Sequence, residues 1–340
     1  MLNTALKLFT KVILSKLLKY IQPREAHQGF RKNRSTIDAI FILRQIVEKS
    51  IEFNHPTYLC FVHLKKAFDR VRLADVIECL REREVPEQIV RIIKELNTDT
   101  IARIKSNNQT SRPITITNGV RQGDSLSPVL FNLIIDKTVT NLPKELGYRT
   151  GNNPINIICY ADDAVLIADS AENLQTLLLK FDHMATSRNM EISLSKTKSL
   201  VISRNSIHCE VKLRDTVIEQ VPKFNYLGAE ISANRDLKHE VRTQATRAAH
   251  ISSCLYDLIW LNKYMSTESK VSIYKTIVSP VLTYASETRA ETTNIQQLLR
   301  TIEMKTIMAI HGKTLRDKIR SDQLRQLSGI QDIIKWTNVR

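Results

Sequence analysis

The run Ile157-Ile158-Cys159-Tyr160-Ala161-Asp162-Asp163-Ala164-Val165-Leu166-Ile167-Ala168 places two adjacent carboxylates inside an apolar, β-rich stretch. An ionised carboxylate buried alone in such a setting is costly or takes up a proton, so acids placed here face a cation or a basic partner. The apolar arms predict a β-hairpin, with residues 155–159 and 165–168 as strands and Tyr160 to Asp163 at the tip. At the tip both acids reach solvent and can present oxygens to a divalent metal, Mg²⁺ being usual for all-oxygen sites that also hold phosphate. An ordinary Asp-rich turn explains the same four residues. Other stretches must decide between the two.

Three further stretches carry chemistry. In Asn118-Gly119-Val120-Arg121-Gln122-Gly123-Asp124-Ser125-Leu126-Ser127-Pro128 two glycines flank an Arg-Gln pair. A helix over 129–142 is predicted to follow, with Ser127 as its N-cap and Pro128 at its first position. Such a loop lets backbone approach a ligand closely, and the helix end favours an anion. In Gln28-Gly29-Phe30-Arg31-Lys32-Asn33-Arg34-Ser35-Thr36, three basic residues in four suit phosphate contact, as they also suit a solvated basic turn. The apolar run 57–64 reads as a strand that opens into Lys65-Lys66-Ala67-Phe68-Asp69-Arg70-Val71.

The elements that must hold these stretches follow from periodicity. Apolar positions 2, 6, 9, 13, 14, 17 and 18 predict a first helix closed by Pro23, and 37–47 a second with Ser35 or Thr36 as cap. A helix over 73–96 is interrupted near Pro86, and 101–105 with 113–117 form a hairpin around Asn107 and Asn108. Residues 174–185 are helical, and strands 191–194 and 199–203 bracket Lys196-Thr197-Lys198. An apolar turn, Phe224 to Gly228, follows Pro222. From Leu237 the pattern is helical only, over 237–261, 267–289 (interrupted at Pro280) and 295–310, and the tail after Gly312 is basic and weakly patterned.

A chain of 340 residues, 42% hydrophobic and 25% charged, can build a real core and is globular. Its 50 Lys and Arg, formal charge +15, are spread along the length, which suits a long nucleic-acid track better than one local tail. Cysteines 60, 79, 159, 209 and 254 form no C-x-x-C pair, which disfavours a zinc knuckle or a disulfide framework and points to a reducing, intracellular setting in cytoplasm or nucleus. No run approaches about 18 uninterrupted apolar residues, so no membrane partner is expected. The basic N-terminal helix could be mimicked by a mitochondrial presequence, but such leaders are richer in Arg and Ser, and a packed helix is expected.

Ala67-Phe68-Asp69, the Gly119 to Pro128 loop and helix, Tyr160 to Asp163, Lys196-Thr197 and Phe224 to Gly228, in this order, resemble the reverse transcriptase motifs of non-LTR (LINE-type) retrotransposons. The resemblance covers residues 1 to about 312. It implies an α+β right-hand polymerase with an antiparallel-sheet palm, fingers and a helical thumb. It thus divides the chain into partial fingers at 1–57, a palm at 58–232 with an inserted fingers hairpin at about 98–118, a thumb at 233–312 and a basic tail at 313–340. The implied activity is RNA-directed DNA polymerisation, with an RNA template, a DNA primer and deoxynucleoside triphosphates as partners. The resemblance makes Asp162 the main metal ligand and Asp163 its partner, for two Mg²⁺ ions, with Mn²⁺ possible. It sets Gln122 and Gly123 against the incoming nucleotide, Arg31 and Arg34 on the nucleic-acid path, and Lys196 where the family's leaving-group lysine stands. Phe224, Tyr226 and Gly228 match the primer grip. Phe68 matches the aromatic gate that excludes a ribose 2′ hydroxyl. Packing or turn duty is the alternative for each.

Departures from the family pattern stand beside these matches. Where the family carries its first catalytic Asp, this chain has His63, whose single imidazole nitrogen suits Zn²⁺ better than Mg²⁺ and brings no negative charge. Asp69, six residues on, is too far along to replace it. The family also sets Asn where Ser193 stands, and a fingers motif before the residues that open this chain. With neither an endonuclease domain nor a Cys/His module in view, the sequence reads as a fragment or decaying copy. Two readings follow: a reverse transcriptase domain impaired in catalysis, or an inactive palm kept as a nucleic-acid-binding protein. A two-metal nuclease is disfavoured, since its sites draw on more acids and histidines.

Overall fold

The computed structural model describes residues 3–338 apart from 22–24, 99, 107–108, 151–152 and 235. Leu2, Pro23, Asn107 and Asn108, which entered the reading of the first helix and of the hairpin turn, lie outside the described residues. The chain divides into two units, Met1–Phe224 and Asn225–Arg340.

The first unit is built on the strand Thr57–His63, which is buried along most of its length. That burial on both faces is why the sequence shows a continuous apolar run there, without the alternation of a half-exposed strand. It pairs antiparallel with Lys198–Ile202 on one side and with Asp163–Ala168 on the other, and Asp163–Ala168 pairs in turn with Ile157–Tyr160. Helix Ala171–Ser187, capped by the Ser170 side chain, buries Leu174, Leu177, Leu178, Phe181 and Ala185. Together with Leu80, Phe131, Cys60 and Val62 these form one apolar cluster. Helix Thr36–Glu52 starts from the expected Ser35, whose box is closed by Asp38. Helices Leu73–Glu82 and Glu87–Asn97 break at Pro86 as expected. The helix Thr4–Leu17 sends Ile13 and Leu17 into the cluster, while Phe9 and Leu18, expected on its buried side, are exposed.

Several elements depart from expectation for local reasons. The helix after the glycine loop runs over Ser127–Val139 and begins two residues early. Ser127 does not cap it: its hydroxyl donates to Arg121 O at 2.6 Å, and Asp124 accepts from Leu126 N instead. The arm 191–194 is a single bridge, Leu64 to Ile192, not a strand, because Ser193 N donates to His63 O and Ser193 O accepts from Lys196 N and Thr197 N in a turn. The hairpin near residue 107 is two short ladders, Thr100–Ala102 with Ile114–Ile116 and Lys105–Ser106 with Gln109–Thr110.

The second unit is helical after the strand Ala229–Ser232. Helices Leu237–Cys254, Thr267–Ile273 and Thr293–Ile310, with the widened turn Tyr274–Val278, bury Val241, Ala248, Tyr274, Val278 and Leu299 around Trp260. Trp260 N reaches back five residues to Leu255 O and Leu261 N to Tyr256 O, so the first helix ends in a widened turn. The stretch after Gly312 is no loose tail. It carries helices Ser321–Ser328 and Ile333–Asn338, places Ile333 and Ile334 in the core, and pins Arg325 between Glu303 at 2.6 Å and Asp332 at 3.0 Å. Among the described residues no helix is long and apolar enough to cross a membrane.

His311 closes this unit, its Nε2 2.7 Å from the Ser328 hydroxyl. Burial, with Lys270 and Lys313 adding repulsion, holds its imidazole below the ordinary value of 6.5. The unfolded chain therefore binds this proton more readily. The residue's stabilising contribution is fully present above about pH 6.5 and is lost as pH falls from there through the folded value. His311→Gln is expected to flatten the loss of melting temperature between pH 7.5 and 5.5; an unchanged slope contradicts the assignment.

Candidate active site

The hairpin turn follows from the ladder. Tyr160 pairs with Asp163, and Ala161 takes φ +54° to reverse the chain in two residues. On its other side the strand Asp163–Ala168 pairs Asp163 with His63 of the central strand, so the two side chains share a face. His63 Nδ1 lies 3.1 Å from Asp163 Oδ1 and 3.8 Å from Asp162 Oδ2. The turn 193–197 delivers the third member, Lys196, whose Nζ is 3.3 Å from His63 Nε2. A lysine ammonium only donates, so the contact suits the neutral tautomer in which Nε2 accepts and Nδ1–H points at Asp163. Burial pushes the Asp163 carboxyl above its usual range, with Asp162 adding to the rise, while His63 and Lys196 oppose it.

This cluster fits a pair of Mg²⁺ ions poorly. Its donors are two adjacent carboxylates and an imidazole whose nitrogens are both engaged, and among the described residues no third carboxylate joins them. Among the described residues no group of three or more His, Cys, Asp or Glu is arranged to hold a metal ion. Asp69 is not in reserve, for its Oδ1 accepts from Gln122 Nε2 at 3.4 Å.

The other sequence candidates gather by separate routes. Gly119 N donates to Val71 O and Val120 N to Phe68 O, seating the glycine loop on the segment that follows the central strand. Gly119 has φ +99°, and a Cβ there would stand 3.0 Å from Asp69 Cα and O. Gly119→Ala is therefore expected to cost about 2–3 kcal/mol in urea unfolding, from backbone strain plus a clash with backbone. Gly123→Ala, at φ +82° in open space, should carry only the strain; equal costs would contradict the seating. Phe68 stacks on Phe131 at 4.6 Å and meets the ring edge of Phe30 at 6.0 Å. Neither neighbour was singled out from sequence, although Phe131 falls on the buried side of a periodic helix.

Arg31 Nη1 donates to His27 O at 3.3 Å, and Arg34 leans 3.9 Å from Asp38 in the next turn. Phe224 stacks on Phe61 at 4.2 Å. Tyr226 and Gly228 belong to the second unit, where Tyr226 is buried and Tyr284 Oη donates to Leu227 O at 2.6 Å to hold the turn. A role missed in the sequence is that of Glu191, which holds both Lys65 at 2.6 Å and Arg70 at 2.5 Å beside the strand end.

An acid-bearing hairpin at the end of a four-stranded antiparallel sheet, packed with helices and with a glycine loop seated just past the central strand, is the arrangement of a right-hand polymerase. Solved structures agree at the level of fold. Telomerase from Candida tropicalis, in complex with a fragment of telomeric RNA, superposes with TM-score 0.54 at 16% identity over 89% of this chain and 45% of that one. The apo form of the same enzyme gives 0.53 at 15% identity, over 91% and 50%. The model of the reverse transcriptase (RNA-dependent DNA polymerase) family matches residues 1–231, and the chain belongs to that family, as a reverse transcriptase domain of the non-LTR type. It is 30% identical over 185 residues to a Pol polyprotein of the R2 retrotransposable element of Nasonia vitripennis, covering 54% of this chain and 18% of the relative. It is 24% identical over 322 residues to the RNA-directed DNA polymerase of the jockey element of Drosophila melanogaster, covering 90% and 34%. The chain thus spans about a third or less of these relatives' length.

Proposed function

We propose that this domain extends a DNA primer on an RNA template with deoxynucleoside triphosphates, and that His63 holds the chemical step far below what its other parts support. The observation that carries this is the ring of His63 set between Asp163 and Lys196 at the tip of the sheet. The regions assigned from sequence follow: the sheet as palm, 1–57 and the hairpin near 107 as fingers, and the helices after 232 as thumb. Asp162 is the main metal ligand in this reading and Asp163 its partner. Gln122, Gly123 and Phe68 meet the nucleotide, Arg31 and Arg34 the strands, Phe224, Tyr226 and Gly228 the primer end, and Lys196 the leaving group.

Enzymes of this family use divalent metals. Mg²⁺ suits an all-carboxylate version of the site, and Mn²⁺ tolerates an imidazole better. Primer extension by the full chain on a primed RNA, with each ion in turn, tests the reading: slow extension, faster with Mn²⁺ than with Mg²⁺, is expected. Extension in Mg²⁺ at the rate of a carboxylate-bearing variant would overturn it. Retention as a nucleic-acid-binding protein is the second reading, favoured by the same engaged histidine together with the +15 charge. Binding without any extension by either the native chain or a repaired one would decide for it.

A further inference from the structure

The helix Ser127–Val139 is buried nearly all round, yet it holds Asn132 and Asp136, 4% and 1% exposed. An acid cut off from water must be met by charge or by donors. His27 Nε2 lies 3.0 Å from Asp136 Oδ1, and Arg83 Nη2 lies 3.1 Å from Oδ2. His27 is itself fully buried. It sits in a short strap, residues 26–30, that joins the edge of the sheet: Cys159 N donates to Ala26 O at 2.8 Å and Gln28 N donates to Cys159 O at 2.9 Å.

The strap bears on the site at two points. Asn132 Nδ2 donates to Gly29 O at 2.9 Å, and Gly29 is pressed so close to the hairpin tip that a Cβ would stand 2.7 Å from Ala161 N. The next residue, Phe30, puts its ring against Phe68, which stacks on Phe131. One helix therefore supplies Phe131, Asn132 and Asp136 to fix the gate ring, the strap backbone and the strap histidine. The Cys159 thiol lies on the same side: burial raises its pKa strongly, and the charge of Asp136 adds to the rise.

We infer that His27, Asp136 and Arg83 form a buried charge latch that positions the strap 26–30, and through it the turn that carries Asp162 and the ring of Phe68. All three are positioning residues. Asp136 is the hub, because loss of either neighbour leaves a buried carboxylate half compensated, and loss of its charge leaves Arg83 without its counter-charge. The consequence for chemistry rests on the reading that Asp162 and Phe68 face the nucleotide. The test below reads the latch alone, so the two can fail separately.

Cys159 is the strand residue whose backbone the strap binds, whereas Cys60 in the central strand and Cys209 are buried elsewhere. Native-state labelling of the full chain with N-ethylmaleimide, quantified at each cysteine by peptide mass spectrometry, separates release of the strap from general unfolding. His27→Ala and Asp136→Asn are expected to speed labelling of Cys159 by about tenfold or more, with Cys60 and Cys209 unchanged. Two milder variants guard against failure to fold. Arg83→Gln, at a partly exposed position, should give a smaller rise confined to Cys159, and His27→Gln, which still sets a polar N–H group beside Asp136, should return most of the protection. If Cys159 labels no sooner than Cys60 and Cys209 in the folded variants, or if His27→Gln opens the strap as far as His27→Ala, the latch is disproved.

Discussion

Raising salt from about 50 to 200 mM is expected to weaken binding of this chain to a primed RNA by about a hundredfold or more, as counterion release from several phosphate contacts requires. The motive is the formal charge of +15, with cations spread along both units. Much of the acid inventory of the first unit is already paired: Asp75 with Arg72 and Arg188, Glu191 with Lys65 and Arg70, and Asp182 with Arg214. At the candidate site His63 and Lys196 stand beside Asp163, so the carboxylates there are partly compensated without any ion. Binding should therefore persist in a chelator, where catalysis stops. A fluorescence-anisotropy titration at several salt concentrations reads both effects. A flat salt dependence, or binding abolished by the chelator alone, contradicts this account of the surface.

Much of the site was legible before the fold was known, and for physical reasons. The hairpin 157–168 announces itself because apolar arms flank two acids that can be solvated only at a turn. The strand 57–63 does so because burial on both faces leaves an uninterrupted apolar run. The helix after the glycine loop shows the limit of local rules. Ser127 has the chemistry of a cap, but a closer carbonyl, that of Arg121, takes its hydroxyl, and the helix begins earlier. The residues 191–194 look extended, yet the central strand uses their polar groups in a bridge and a turn, and it is that turn which brings Lys196 to His63.

Long-range pairing was the least legible part. Asp136 in an otherwise apolar helix signals a buried acid, but nothing local names His27 and Arg83, more than fifty residues away, as its partners. The same holds after Gly312, where Arg325 looks like one more basic residue until Glu303 and Asp332 close around it. Sequence patterns report what a residue needs, and the fold decides which neighbour supplies it.

His63→Asp is the substitution with the largest expected effect on chemistry. The position faces Asp163 across the ladder with Asp162 close by, so a third carboxylate there would share a face with both. Such a set offers the shared negative charge and the all-oxygen donors that hard divalent ions need, which the imidazole does not. It also gives the Lys196 ammonium an acid to face where it now meets a ring nitrogen. Groups acting together in a transition state are strongly non-additive, so restoring the missing one should recover about a hundredfold or more in the rate of extension. Removing Asp162 from the restored set should cost as much or more. The decisive measurement is single-turnover primer extension on RNA in Mg²⁺, run side by side for the native chain, His63→Asp, and His63→Asp combined with Asp162→Ala. The account predicts weak or no extension, a large gain and then its loss, with primer–template affinity nearly constant across the three. Extension by the native chain as fast as by His63→Asp would show that His63 is not what limits the site.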